Sequence, residues 1–159
     1  MIREEVLEAA AAVEGTETKL AVMREWLQAA TLRSFHESGA FLSVCLAGQA
    51  AQRFGGGSSQ YVPDLEFVLV GKKGYGPEKW LFKAKRYLGF SGLDARIAFA
   101  RKGNLHSGWV KVPGFLDGED LGFRILVDAT PAEMVVSTVK IVESAGQCFG
   151  IRYKDTASQ

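Results

Sequence analysis

The spacing of apolar residues changes along this chain, from a helical period in the first part to a period of two in the later part. Leu20, Met23 and Leu27 recur every three or four positions, as on one face of an α-helix. Further on, Ile97 and Phe99 alternate with less apolar residues, as in a β-strand. A chain with both periods buries its apolar surface by packing helices against a sheet. The sequence therefore predicts an α+β or mixed α/β fold.

The same patterns predict the position of each element. Helices are expected over residues 1–14, 18–38 and 49–54, with a further helix that begins at Pro77. Strands are expected over residues 41–46, 64–70, 96–100, 107–112, 123–129, 134–142 and 148–153. Residues 55–59, Gly-Gly-Gly-Ser-Ser, are expected to form a flexible loop. No repeat or linker interrupts the chain, so residues 1–159 are predicted to be a single domain, with a helical lead-in over 1–40 and a sheet-containing core over 41–159.

Composition excludes several classes of protein. The hydrophobic fraction of 47% excludes a disordered chain, and 19 Lys and Arg against 18 Asp and Glu is not the balance of a nucleic-acid coat protein. Two cysteines without a Cys-x-x-Cys motif exclude a disulfide scaffold and a four-cysteine zinc site. There is no apolar run of membrane-spanning length and no signal-peptide pattern. We therefore expect a cytoplasmic protein without a membrane partner.

The candidate chemistry lies in three acidic residues. Asp64 and Glu66 are two positions apart in an apolar strand, so both side chains point to the same face of the sheet. An unpaired carboxylate in such a strand is costly, which favours a functional role over simple solvation. Asp128 ends a second apolar strand. If the two strands are neighbours, the three carboxylates converge and supply the oxygen ligands that Mg²⁺ prefers.

Other polar residues give weaker indications. Cys45 and Cys148 are expected to be small core residues, while His36 and His106 are expected to face solvent or to cap an element. Basic residues on the later strands usually form the wet face of a sheet, and a substrate-phosphate face is the alternative. These residues are Arg96, Arg101, Lys102, Lys111 and Arg124.

Two stretches resemble the signature of AbiEii-type nucleotidyltransferases. Residues 46–51, Leu-Ala-Gly-Gln-Ala-Ala, are similar to the family's Gly-Gly-Thr-Ala-Leu. Residues 60–67, Gln-Tyr-Val-Pro-Asp-Leu-Glu-Phe, are similar to its Arg-Phe-Ser-x-Asp-Leu-Asp-Phe. Residues 32–41, 109–116 and 126–131 resemble further family stretches in the same order. The resemblance covers most of the chain, from about residue 26 to residue 155.

This resemblance implies the polymerase-β-like nucleotidyltransferase fold, a mixed sheet backed by helices. It also implies Mg²⁺, a nucleoside triphosphate, and transfer of a nucleotidyl group to an acceptor, which is RNA in some members. Many members are toxins paired with an antitoxin protein. By position, Asp64, Glu66 and Asp128 would be the catalytic and metal-binding carboxylates, and Gly48 and Gln49 would approach the triphosphate. The nearby basic residue assigned to the nucleotide is Arg124.

The chain departs from the family signature at five positions. Ala47 stands where the family has a glycine, Gln49 where it has a hydroxyl residue, and Gln60 where it has an arginine. Glu66 replaces an aspartate, and Leu126 replaces an acidic residue. The extra methylene of glutamate moves a carboxylate by about 1 Å, enough to cost roughly 10²-fold in rate. The alternative to an active transferase is therefore a catalytically inactive module of the same fold that binds RNA, a nucleotide or a protein partner.

Overall fold

The computed structural model describes residues 2–116, 118–131 and 134–155. Two helices come first, and a single helical turn and a longer helix lie between the first strands. Their bounds are α1 (Ile2–Ala11), α2 (Thr16–Glu37), α3 (Gly48–Ala50) and α4 (Pro77–Phe90). A 3₁₀ turn spans Ala40–Leu42, and a π-type turn at Ala51–Gly55 continues α3. Helices therefore dominate the first 90 residues, as the apolar spacing predicts.

Seven strands form one mixed sheet in the order β3-β4-β5-β2-β1-β7-β6. They are β1 (Val44–Ala47), β2 (Asp64–Leu69), β3 (Arg96–Lys102), β4 (Leu105–Leu116), β5 (Glu119–Asp128), β6 (Ser137–Ser144) and β7 (Gln147–Lys154). The pairs β2–β5 and β1–β7 are parallel, and the other neighbouring strands are antiparallel. The predicted mixed α/β fold is confirmed.

One face of the central strands packs against the helices. Along β2, Leu65 and Phe67 are buried, and along β5, Ile125 and Val127 are buried. The ring of Phe35 from α2 lies 5.8 Å from that of Phe67, so the long helix covers this side of the sheet. The intervening residues of both strands are more exposed, so the site described below occupies the other face.

Most strand boundaries differ from the sequence prediction by one to four residues, and two of these differences have a clear local cause. The first strand does not begin at residue 41, because Gly39 takes a positive φ of 78° and the chain continues in a 3₁₀ turn. Strand β4 does not end at Val112 but runs through Pro113 to Leu116. The register shifts between Val112 and Leu116, and such a bulge accommodates a residue that has no N–H to donate.

The glycine-rich segment at residues 55–59, which is expected to be a flexible loop, is anchored at Gly55 and Ser58. Gly55 is buried, and a methyl group added there would meet the ring of Tyr153. Backbone and side-chain hydrogen bonds hold Ser58, whose N–H donates to Gln52 and whose carbonyl accepts from Arg53. The π-type turn therefore packs Gly55 onto β7, whereas Gly56, Gly57 and Ser59 are exposed.

Two single-residue expectations are also wrong. Cys148 is exposed, whereas Cys45 is buried as expected, and burial raises the pKa of its thiol to about 11. His106 is buried between Tyr75 and the turn before β4, with its Nδ1 2.7 Å from the Tyr75 hydroxyl and its Nε2 3.0 Å from the Gly103 carbonyl. His36 is exposed, as expected. Among the described residues, no helix has both the length and the apolar character needed to cross a membrane.

Candidate functional site

The predicted carboxylates lie on one face of two hydrogen-bonded strands. In the parallel pairing of β2 with β5, Asp64 is opposite Arg124, Glu66 is opposite Leu126, and Val68 is opposite Asp128. Partners in register point to the same side of a sheet, and here that side is the one the helices leave uncovered. We call this side of β2, β5 and β4 the open face. Asp128 lies one pleat beyond Glu66 along the strands.

Asp64 is bound on both of its carboxylate oxygens by one arginine. The Arg124 Nη2 donates to Oδ2 at 2.8 Å, and its Nε donates to Oδ1 at 3.2 Å. The backbone N–H of Arg124 adds a third bond to Oδ1 at 3.1 Å. This pairing raises the pKa of Arg124 further above its already high ordinary value. The arginine side chain is 65% exposed and covers the carboxylate, which is 15% exposed.

Glu66 lies beneath the turn that follows β1. The first residue of that turn, Gly48, has a φ of 57°, and a methyl group added there would collide with the Glu66 carboxylate. Glycine at this position thus permits a close approach, but the group that approaches is the protein's own carboxylate. Gln49 is exposed at the next position, and Gln60 is exposed in the loop before β2.

Asp128 is held at the end of β5. Its Oδ1 accepts a hydrogen bond from the Thr130 N–H at 3.0 Å. Hydrogen bonds from the side chain and backbone of Thr130, with a smaller contribution from the charge of Lys154, lower the pKa of Asp128 below its ordinary 3.8. The carboxylate is therefore ionised at neutral pH and engaged by its own turn.

In this arrangement the three carboxylates do not fit a magnesium ion. Mg²⁺ needs a near-octahedral set of oxygens at about 2.0–2.1 Å. Both oxygens of Asp64 are taken by Arg124, and Asp128 is one pleat away from Glu66. Within residues 2–116, 118–131 and 134–155, no three His, Cys, Asp or Glu side chains gather as a metal-binding group. A role for Asp64, Glu66 and Asp128 as magnesium ligands stays a prediction, and in it Asp64 would either share its oxygens between the metal and Arg124 or release the arginine.

An aromatic side chain lies beside the Asp64–Arg124 pair. Trp109 on β4 is in register with Arg124, so Asp64, Arg124 and Trp109 form one row across three strands of the open face. Trp109 is 36% exposed, and the Lys111 ammonium lies 4.9 Å from the centre of its ring. Lys111 is itself 3.9 Å from the Asp120 carboxylate, a long and exposed ion pair.

Two shallow grooves meet at Trp109. One of about 420 Å³ runs past the start of β2 and is lined by Arg24, Pro63, Asp64, Trp109, Lys111 and Arg124. The other, of about 340 Å³, crosses the strands towards β3 and is lined by small and apolar residues. That second lining includes Ala98, Ala100, Ser107 and Leu126, together with Trp109 and Arg124. The side chains of Trp109 and Arg124 therefore separate a cationic groove from a smoother one.

Comparison with solved structures relates this architecture to known proteins. A Helicobacter pylori protein called JHP933 superposes with a TM-score of 0.57 at 15% identity, over 92% of this chain and 55% of its own. A protein from the same organism that carries the name putative nucleotidyltransferase gives 0.56 at 16% identity, over 91% of this chain and 56% of its own. The fold is nucleotidyltransferase-like. This chain spans little more than half the length of either protein.

Comparison of the sequence with protein families and with curated proteins found no relative: no protein-family model matches the chain, and a search of curated proteins found no match. At 15–16% identity the two structures show the fold alone, so the AbiEii-type resemblance remains a hypothesis about a narrower group.

The sequence prediction did not single out Trp109 and Lys111 as site residues. Trp109 was used only as part of the family resemblance, and Lys111 was one of five basic residues on the later strands. Trp109 and Lys111 are two positions apart on one strand, so their side chains share a face. Because lysine favours solvent, this spacing could have placed both on an exposed face. Of those five, Arg101 is on the helix side, because it is paired in register with buried His106 and forms an ion pair with Glu78 of α4.

Proposed function

We propose that this chain is a nucleotide-binding module of the nucleotidyltransferase-like fold, with the binding surface on the open face. The observation that carries the proposal is the row of Asp64, Arg124 and Trp109, which places a half-exposed indole next to an exposed guanidinium. An aromatic ring beside cations matches the two parts of a nucleotide, a flat base and a charged phosphate chain.

The base would stack on Trp109. The groove on the β3 side of this residue has a floor of small side chains, Ala98, Ala100 and Ser107, which leaves the indole accessible above the sheet. Base–aromatic stacking contributes about 1–3 kcal/mol per base and tolerates any base, because every base has a π face. The proposal therefore names no particular nucleoside.

The phosphates would lie in the groove on the β2 side. Its lining has three cationic side chains, Arg24, Lys111 and Arg124, and two carboxylates, Asp64 and Asp120. Arg24 is positioned by its Nε, which donates to the Gly122 carbonyl at 3.1 Å. Lys111 is bound only loosely to Asp120, so its ammonium can turn towards a phosphate without breaking a short ion pair.

Titration calorimetry with ATP tests the proposal on Trp109→Ala against Phe82→Ala. Phe82 is 57% exposed on α4, so its truncation removes an accessible aromatic ring away from the open face. We expect Trp109→Ala to weaken ATP binding by about 5- to 150-fold, which is the stacking energy expressed as affinity. Phe82→Ala should bind ATP as the unmodified protein does. Equal affinities for both variants would contradict the proposal.

A second candidate function is nucleotidyl transfer with Mg²⁺. It is favoured by the placement of Asp64, Glu66 and Asp128 on the same face of adjacent strands. Magnesium-dependent transfer of label from a nucleoside triphosphate to RNA would establish it, and its loss in Glu66→Gln would locate it. An RNA acceptor, an antitoxin partner and a cytoplasmic location belong with this candidate and are equally open to test.

A further inference from the structure

Arg124 donates hydrogen bonds to both of the Asp64 oxygens that could coordinate a metal ion. Two parallel N–H donors of the guanidinium, on Nε and Nη2, meet the two carboxylate oxygens at 3.2 and 2.8 Å. This fork-to-fork geometry is the strongest form of the arginine–carboxylate pair. The backbone N–H of Arg124 fixes the same carboxylate through its place in the sheet, so Asp64 is oriented towards the arginine by the strand register itself.

The guanidinium also has N–H donors that Asp64 does not use. It carries five N–H donors, of which Asp64 takes two. The side chain is 65% exposed, and it lines both grooves that meet at Trp109. A planar cation that is anchored on one edge and exposed on the other is suited to a phosphate, which accepts the same paired geometry as a carboxylate.

We propose that Arg124 is the resident cation of this site, so that nucleotide phosphate is bound without a divalent metal ion. The proposal rests on the proposed function and adds the chemistry by which the phosphate is held. Arg124 neutralises Asp64 on one side and presents its remaining N–H donors to the phosphate on the other. Because a guanidinium is part of the chain, phosphate binding does not depend on the supply of a metal ion.

Calorimetry with ATP in excess EDTA and in excess magnesium chloride tests this on the full chain. We expect affinity in EDTA to equal or exceed affinity with magnesium, because free ATP carries more negative charge than its magnesium complex. ATP binding that appears only with magnesium would overturn this inference and leave the proposed function standing. No ATP binding in either buffer would overturn the proposed function, and the phosphate role of Arg124 with it.

Arg124→Gln and Arg101→Gln form a matched pair of variants. Arg101 makes a similar two-bond ion pair with Glu78, at 2.8 and 2.6 Å, on the helix side of the sheet. Arg124→Gln should weaken ATP binding in EDTA by about 10- to 100-fold, the range for loss of charged hydrogen bonds, while Arg101→Gln should leave it unchanged. Equal effects of the two variants would overturn the inference.

A measurement without nucleotide tests the other half of the proposal. Electron paramagnetic resonance of Mn²⁺ reports on whether the carboxylates take up a divalent ion. The unmodified protein should leave Mn²⁺ free, whereas Arg124→Gln, which releases Asp64, should bind it, and Arg124→Gln with Asp64→Asn should lose that binding. Mn²⁺ bound by the unmodified protein and lost in Asp64→Asn would show that Arg124 gives way to a metal, which would overturn the proposal.

Discussion

Strands β2 and β5 have two faces with different roles, one packed against the helices and one open. On the helix-covered face, Leu65 and Ile125 are almost fully buried and belong to the continuous core. On the open face, Asp64 and Arg124 satisfy each other through a salt bridge, and the arginine side chain remains 65% exposed. A period of two therefore separates the residues that stabilise this fold from those that could bind a ligand.

This difference has an energetic reason. Buried apolar side chains contribute through the surface that they remove from water, and their loss leaves a cavity. Exposed charged pairs contribute little to folding, because water already solvates both groups. The open face can consequently change its chemistry without weakening the core.

The sharpest test of the comparison is the same substitution on each face. Leu65→Ala should lower the free energy of unfolding by about 2–5 kcal/mol, because a fully buried leucine is lost. Leu126→Ala, on the neighbouring strand but the open face, should cost about 1 kcal/mol or less, since its side chain is only half-buried. Urea unfolding measures both values. Similar costs would show that the open face is covered in solution.

A pair of glycine substitutions tests how closely the turn after β1 approaches the open face. Gly48 and Gly57 both have positive φ, 57° and 73°, so alanine at either should cost about 1–2 kcal/mol in backbone strain. Only at Gly48 does the new methyl group also displace the Glu66 carboxylate, since nothing lies within 4 Å at Gly57. We expect Gly48→Ala to be the more destabilising, as measured by thermal unfolding.

The extra cost of Gly48→Ala should disappear in a Glu66→Ala background. Removing the carboxylate removes the collision, which leaves only the strain that Gly57→Ala also carries. An extra cost that persists in this background would mean that it does not come from the Glu66 carboxylate, and no extra cost in the unmodified protein would mean that Glu66 swings away freely.

The smallest expected effect concerns acid stability at Asp128. Its pKa is lowered in the folded protein by the hydrogen bonds from Thr130, so its contribution to stability is present above the unfolded pKa and is lost as the pH falls through the folded pKa. At neutral pH, Asp128→Asn should cost a few tenths of a kcal/mol, because the group is exposed. The difference between the two proteins should shrink below pH 3.8.

Denaturant unfolding over a pH series checks this effect. A difference that grows on acidification would contradict the lowered pKa of Asp128. A difference of several kcal/mol at neutral pH would instead show that the open face contributes to folding as much as the helix-covered face does.

Several features of this protein could be predicted from local sequence because local spacing determines them. The helical period of Leu20, Met23 and Leu27 and the alternation along the later strands determine which side of each element is apolar, and this suffices to indicate a sheet backed by helices. The alternation of side chains along a strand also places Asp64 and Glu66 on one face, because residues two apart on any β-strand point to the same side.

Only the tertiary structure decided which groups meet across strands. The parallel register of β2 with β5 sets Arg124, and not Asp128, opposite Asp64, and the register of β4 with β5 adds Trp109 to the same row. No local pattern specifies register between strands separated by about 60 residues, because it follows from how the apolar sides of both strands pack against α2. The sequence by itself determined which side chains share a face of each strand, whereas the tertiary structure decided that an arginine, with a tryptophan beside it, covers the carboxylate predicted to hold a metal.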